Sequence, residues 1–200
     1  MRLIFVTYNQ GKLKEMKAIL GDLDIEVVSA SEAGVLEDVI EDGQTFAENA
    51  LIKAKFAAER TNEWAVADDS GLSIKALNGE PGVFSARWAG EGASDEEIIK
   101  YSLARISDIP VDSRQAQFET AVALCAPDKR EWVFSGFIEG EVTDKPRGAV
   151  RSKLPYDVVF IPEGFDITFA EMSDEQKNSL SHRGLAFKKL KDFIRKNGLK

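Results

Sequence analysis

Short apolar runs alternate along the chain with stretches whose apolar residues recur every three or four positions, the patterns of strands and helices in turn. Leu3-Ile4-Phe5-Val6 is an uninterrupted apolar run and predicts a buried strand. The polar turn 7–11 follows, and Leu13, Met16 and Leu20 then recur at helical spacing. Ile25-Glu26-Val27-Val28 predicts a second strand. Thr45 and Glu48 form a capping-box pair that opens an alanine-rich helix running to about Arg60. Ala65-Val66-Ala67 predicts a strand that ends in Asp68 and Asp69. Ser94 and Glu97 repeat the capping signature, with Ile99, Leu103 and Ile106 on the inward face of the helix they open. Residues 117–126 and 131–142 are rich in β-branched and aromatic side chains, and Pro127-Asp128-Lys129 between them reads as a turn. They predict an antiparallel hairpin. After a Pro146-Arg147-Gly148 turn, a strand is expected over 156–161. Ser173 with Gln176 caps a short helix, and a last helix is expected over 184–196.

Strands alternating with helices, with a hairpin late in the chain, predict an α/β fold around a mixed β-sheet flanked by helices. No repeat, low-complexity tract or linker interrupts the 200 residues, so one domain over 1–200 is expected. That length buries a substantial core.

Composition narrows the chemistry. At 44% hydrophobic and 30% charged, the chain reads as an ordinary soluble globular protein. No apolar stretch approaches the roughly 20 residues that cross a bilayer. The start lacks a signal-peptide pattern, and Cys125 is the only cysteine, so no internal disulfide can form. A cytoplasmic protein without a membrane partner is expected. A net charge of −8 argues against nucleic-acid binding, and any anionic ligand must meet local lysines, arginines, helix N-termini or a metal. One histidine and one cysteine cannot assemble a zinc site, whereas 34 acidic residues can supply a hard cation such as magnesium (Mg2+).

Five stretches carry candidate chemistry. Asp68 and Asp69 set two like charges side by side, which calls for a cation; the alternative is a solvated Asp-Ser-Gly turn. The segment Thr7 to Lys12, with Asn9 inside it, joins a strand to a helix, where free N–H groups and the helix dipole attract phosphate. It lacks the P-loop pattern. Lys53 sits on the alanine-rich helix with Asn49 and Ala50 behind it, open to the reading of a solvated lysine. Glu41-Asp42-Gly43 either completes a metal site with Asp69 or forms an acidic first turn. Ser181-His182-Arg183-Gly184 places the only imidazole beside a guanidinium at a helix mouth, with Lys177 on the helix before it. Carboxylates suited to a cation and basic groups suited to an anion together describe a metal–phosphate site.

These stretches resemble a known family. "VTYNQGKLKE", "EDGQTFAENALIKA", "ADDSGLSIKALNGEPGVFSARWAG", "FIPEGFDITFAEMSDEQKNSLSHRG" and the closing "AFKKL" are similar, in order and over nearly the full length, to the Ham1-like inosine triphosphate pyrophosphatases. The resemblance implies an elongated two-lobed α/β fold with a central mixed, twisted β-sheet and a cleft between the lobes. It also implies a cytoplasmic homodimer. The implied reaction is magnesium-dependent hydrolysis of purine nucleoside triphosphates (inosine, deoxyinosine, xanthosine) to the monophosphate and pyrophosphate. Asp69 matches the family's general base and metal ligand, Glu41 its second magnesium ligand, with Asp42 adjacent, and Ser70 a substrate contact. Thr7 to Lys12, Lys53 and Lys177 match triphosphate-binding positions, and His182 with Arg183 the pair that reads the purine oxygen.

One block departs from the family. Where "GFGYDPxF" is usual, the chain reads "SKLPYDVVF": Tyr156 and Asp157 remain, but Leu154 and Pro155 replace a base-stacking phenylalanine and a glycine. Trp88 offers another aromatic surface. Two further readings therefore compete: the same chemistry with a shifted base preference, and a nucleotide-binding regulator without turnover. Retention of Asp69, Lys53 and the Ser-His-Arg-Gly block weighs against the regulator.

Overall fold

A computed structural model describes all residues except Tyr8, Asp38 and Lys200, and the backbone alone of Gln10. The elements run β1 (Arg2–Val6), α1 (Gln10–Leu20), β2 (Glu26–Ser29), α2 (Phe46–Thr61), β3 (Trp64–Ile74), α3 (Asp95–Arg105), β4 (Gln115–Cys125), β5 (Glu131–Val142), β6 (Phe160–Pro162), α4 (Asp174–Leu180) and α5 (His182–Asn197). Six strands form one sheet in the order β2-β1-β3-β4-β5-β6. β1 pairs in parallel with β2 and β3, and β5 pairs antiparallel with β6. The sheet is therefore mixed, and with its helices the fold is α/β, as the alternation predicts. Among the described residues no helix is long and apolar enough to cross a membrane.

The chain divides into two compact units, each discontinuous in sequence. The first comprises Met1–Asp69, Thr120–Gly136 and Arg183–Lys200. Its core gathers Leu3 and Phe5 of β1, Leu13, Met16 and Leu20 of α1, and Phe187 and Leu190 of α5. The predicted helical stripe of α1 is thus its buried face. α2 lies against β1, and its buried Ala50, Ala54 and Ala57 are small enough to let helix and sheet approach closely.

The second unit comprises Ser70–Glu119 and Phe137–His182. Phe118 is the hub of its aromatic core, with ring centroids 4.7 Å from Phe160 and 6.2 Å from Tyr156. Gly140 of β5 is required by close approach: a Cβ there would lie 2.2 Å from the Ile161 carbonyl oxygen and 2.5 Å from the Phe160 ring.

Several boundaries differ from the sequence expectation. β3 does not stop at Ala67 but continues through Asp68, Asp69, Ser70 and Gly71 to Ile74. Those four residues disfavour strands locally, but tertiary partners hold three points of the segment. Lys12 pairs with Asp68, Asn49 donates to Asp69, and the Ser85 hydroxyl accepts from the Leu72 N–H. The expected strand 156–161 is a 3-10 turn, Pro155–Val158, followed by the short β6, because Pro155 fixes φ at the turn's start. β2 is shifted one residue onward. Ile98 is buried on α3, whereas Leu103 is half-buried. α5 begins at His182, two residues before the expected start.

Candidate active site

The first unit places most of the predicted chemistry around the end of its β3 segment. Asn9 caps α1: its side chain accepts from the N–H groups of Gly11 at 2.9 Å and Lys12 at 3.3 Å. Its own N–H donates to the Thr7 hydroxyl at 3.1 Å. The strand-to-helix turn is thereby fixed, and Lys12 projects from the helix's first turn. Lys12 Nζ stands 2.8 Å from Asp68 Oδ2. Arg183, in the first turn of α5, reaches the same oxygen with Nε at 3.5 Å and Glu15 Oε2 with Nη1 at 3.1 Å.

Asp69 faces a different set of groups. Asn49 Nδ2 donates to its Oδ2 at 3.0 Å, and Lys53 Nζ stands 3.8 Å from its Oδ1. Lys53 also donates to Glu41 Oε2 at 2.9 Å, so one ammonium serves two carboxylates. The Asn49 side-chain oxygen accepts from the Gly43 N–H at 2.9 Å, tying the loop that carries Glu41 to α2. Glycine is needed there, since a Cβ on Gly43 would lie 2.7 Å from that oxygen and 2.7 Å from Glu48 Cβ. Glu48, in the predicted capping box, accepts from the N–H groups of Gln44 at 2.6 Å and Thr45 at 3.0 Å. The reading of Lys53 as solvated is overturned: its ammonium is largely buried between Glu41 and Asp69. Glu41 is the residue of its segment that pairs with Lys53.

Adjacent carboxylates thus acquire opposite characters. Burial pushes the Asp68 carboxyl up, but Lys12, Arg183 and Lys53 outweigh it and hold the group at about 2. Asp68 is an anion at neutral pH. For Asp69, burial dominates with Glu41 adding to it, and Lys53 and the Asn49 hydrogen bond oppose it only in part. Its pKa rises above the ordinary aspartate value. Burial also lowers the Lys12 pKa, against the pull of Asp68. Two neighbouring acids driven apart in this way, amid Lys12, Lys53 and Arg183, are the pattern of a candidate acid–base site.

The second unit holds the remaining candidates. The Tyr156 hydroxyl donates to the Ser85 carbonyl at 2.8 Å, and burial pushes its pKa up. Lys177 and Asp157 form a buried pair at 2.5 Å, with Arg151 Nη1 4.0 Å from the same carboxylate oxygen. The His182 ring stacks on Phe118 with centroids 4.6 Å apart and planes inclined by 6°. Ser70 opens this unit in β3. Trp88 packs edge-on against Tyr101 at 5.4 Å beneath Arg105, so its ring is part of the α3 packing.

Within the first unit the structure brings together Lys12, Glu41, Lys53, Asp69 and Arg183, with Thr7 and Asn9 shaping the turn that carries Lys12. Tyr8 and the Gln10 side chain, inside the predicted phosphate stretch, lie outside the described residues. Asn49, Glu15 and the role of Asp68 are additions that the sequence reading missed. Asn49 had one signal: a polar residue on an otherwise alanine face, four before Lys53. Among the described residues no cluster of three or more His, Cys, Asp or Glu side chains is placed to hold a metal.

Comparison with known proteins decides the lineage. The model of the Ham1 family matches residues 3–193. The chain belongs to the Ham1 family. A curated relative, the dITP/XTP pyrophosphatase of Geobacter sulfurreducens, is 43% identical over 198 residues, spanning 99% of this chain and 98% of the relative. The dITP/XTP pyrophosphatase of Streptomyces coelicolor is 45% identical over 196 residues, 97% of each chain. Among solved structures, a HAM1 protein from Coxiella burnetii superposes with a TM-score of 0.90 at 37% identity, covering 98% of this chain and 99% of that one. The Ham1-family fold therefore extends over nearly the whole chain.

Proposed function

We infer that this chain hydrolyses deaminated purine nucleoside triphosphates, those of inosine, deoxyinosine and xanthosine, to the monophosphate and pyrophosphate, and so clears them from the nucleotide pool. The observation that carries the mechanism is the pair of unlike carboxylates in the first unit: Asp68 locked as an anion among cations, and Asp69 given a raised proton affinity. Asp69 takes a proton from the attacking water, and Lys12 and Lys53 neutralise charge that develops on the departing pyrophosphate.

Glu41 and Asp69 are the residues that would hold magnesium. Both offer hard oxygen donors, and both already face one cation, the Lys53 ammonium. Two carboxylates suit magnesium, which takes one or two protein carboxylates and otherwise binds water and phosphate oxygens. When bound, the ion supplies charge neutralisation and acidifies water. Arg183 only donates hydrogen bonds, so it donates to the six-oxygen of inosine or xanthine and leaves the adenine amino group without an acceptor. Thr7, Asn9, Ser70, Tyr156, Asp157, Lys177 and His182 are assigned to the substrate on their family motifs. We place the working protein in the cytoplasm as a homodimer on the same basis.

The test is incubation with inosine, xanthosine, guanosine and adenosine triphosphates plus magnesium, with pyrophosphate and orthophosphate measured separately. Pyrophosphate from the inosine and xanthosine substrates is expected. Orthophosphate as first product overturns the bond assignment, and equal rates on all four overturn the base reading. A different nucleotide order favours a base preference shifted by Leu154 and Pro155.

A further inference from the structure

A single oxygen, Asp68 Oδ2, is shared between the group that meets phosphate and the group that reads the base: Lys12 Nζ at 2.8 Å and Arg183 Nε at 3.5 Å. Asp68 is 2% exposed, so its charge is not screened by water and must be divided between its neighbours. Arg183 has a second anchor, Glu15 at 3.1 Å on Nη1, so two carboxylates hold its guanidinium from two edges. A planar fork held at two edges keeps its plane, whereas a fork held at one can pivot.

We propose that Asp68 is a positioning residue that couples phosphate binding to base selection. In the absence of substrate its charge is drawn mainly to Lys12, the closer cation. A polyphosphate that engages Lys12 supplies that lysine with a new counter-ion, and the Asp68 charge then falls to Arg183. The guanidinium, 3.1 Å from Glu15 but 3.5 Å from Asp68, is thereby tightened at its second edge as the base arrives. Base selection should accordingly be sharper for a triphosphate than for a monophosphate. The proposal rests on the reading of Lys12 as a phosphate contact and Arg183 as the base contact, and it assigns Asp68 a role apart from that of its neighbour Asp69.

The experiment is calorimetric binding in excess EDTA. It uses inorganic tripolyphosphate, inosine and adenosine monophosphates, and the α,β-methylene triphosphates of both nucleosides. Lys12→Gln should weaken tripolyphosphate by about tenfold, and Arg183→Gln should erase the inosine-over-adenosine preference. Failure of either overturns the contact assignment, and the proposal with it. With both in hand, the wild-type preference should be about tenfold larger for the triphosphate analogues than for the monophosphates. In Asp68→Asn that gain should vanish while tripolyphosphate binds at least as tightly as to the wild type, because Lys12 has lost its competing anion. A merely structural role would instead weaken every ligand together, and that result overturns the coupling. So does a wild-type preference equal in the two series, or a gain that persists in Asp68→Asn. If Asp68→Asn does not fold, Lys12→Gln serves in its place: with Asp68 left to Arg183 alone, the inosine preference should be equal for monophosphates and triphosphate analogues, and a gain that persists overturns the coupling.

Discussion

Asn49→Ala tests whether the two carboxylates are held in place by the helix beneath them. Asn49 is 1% exposed and bridges Asp69 to the Gly43 N–H. Only one orientation of its amide satisfies both contacts, with nitrogen toward the carboxylate and oxygen toward the backbone. The bond to ionised Asp69 is worth about 1.5–3 kcal/mol and the neutral bond about 1 kcal/mol, so truncation should cost about 3 kcal/mol of stability. For a chain of this length that lowers the melting temperature by about 6–12 °C. On the proposed reading the share belonging to Asp69 also holds the proton acceptor in register, and its loss should lower kcat/KM on inosine triphosphate by about ten- to a hundredfold. Loosening of the Gly43 tie frees the loop carrying Glu41, so half-saturation by magnesium should move to higher concentration. The assay is a thermal melt beside steady-state kinetics with magnesium varied. A melting loss of the expected size with kcat/KM within about threefold of wild type would show that Asn49 is a packing residue only, and the positioning argument would fail.

Asp157→Asn should destabilise the second unit by about 3–5 kcal/mol, measured by urea unfolding, because Lys177, 3% exposed in its side chain, would lose the carboxylate 2.5 Å away. A loss below about 1 kcal/mol would mean that Arg151 or water already compensates the pair. Asp68, at about 2 in the folded protein against about 3.9 unfolded, contributes about 2.5 kcal/mol. This stability is fully present above about pH 5 and is lost progressively as pH falls through the unfolded and then the folded pKa, toward 2. The difference in unfolding free energy between wild type and Asp68→Asn in EDTA should therefore shrink between about pH 5 and pH 2.5, and a constant difference refutes the pairing. Gly140→Ala should cost about 1–3 kcal/mol, since the backbone oxygen 2.2 Å from the new Cβ cannot swing aside; an unchanged urea midpoint would contradict the β5–β6 packing.

What was legible in the sequence was local. The Thr45–Glu48 and Ser94–Glu97 boxes gave true helix starts, and the Leu13, Met16, Leu20 stripe gave a true buried face, because capping and periodicity act within one or two turns. Asp68 and Asp69 resisted the same treatment. A strand crossing four turn-prone residues is sustained by Lys12, Asn49 and Ser85, which lie from 13 to 56 positions away along the chain and leave no mark beside it. Family motifs supplied the catalytic names without the partners. Lys53 looked like a solvated lysine on any helical wheel, and its pairing with Glu41 depends on a loop pinned by Gly43, whose need for glycine lies in tertiary contact rather than in φ.

The Leu154-Pro155 departure can now be weighed against the turn that contains it. Pro155 opens the 3-10 turn Pro155–Val158, where the first N–H has no internal acceptor, so the missing donor costs nothing there. The two residues retained from the motif are anchored independently of that change: Tyr156 on the Ser85 carbonyl and Asp157 on Lys177. The chemical difference therefore reduces to Leu154, which is half-buried and cannot stack on a base. An aromatic platform contributes about 1–3 kcal/mol per base, and it does so for any base because every base has a π-face. Its loss weakens the binding of all substrates together. On the proposed reading, discrimination between an oxygen and an amino group belongs to the donor-only guanidinium of Arg183, which has Glu15 and Asp68 beside it. The departure should raise KM across the series while leaving inosine ahead of adenosine. A reversed order would place base recognition on Leu154 rather than on Arg183.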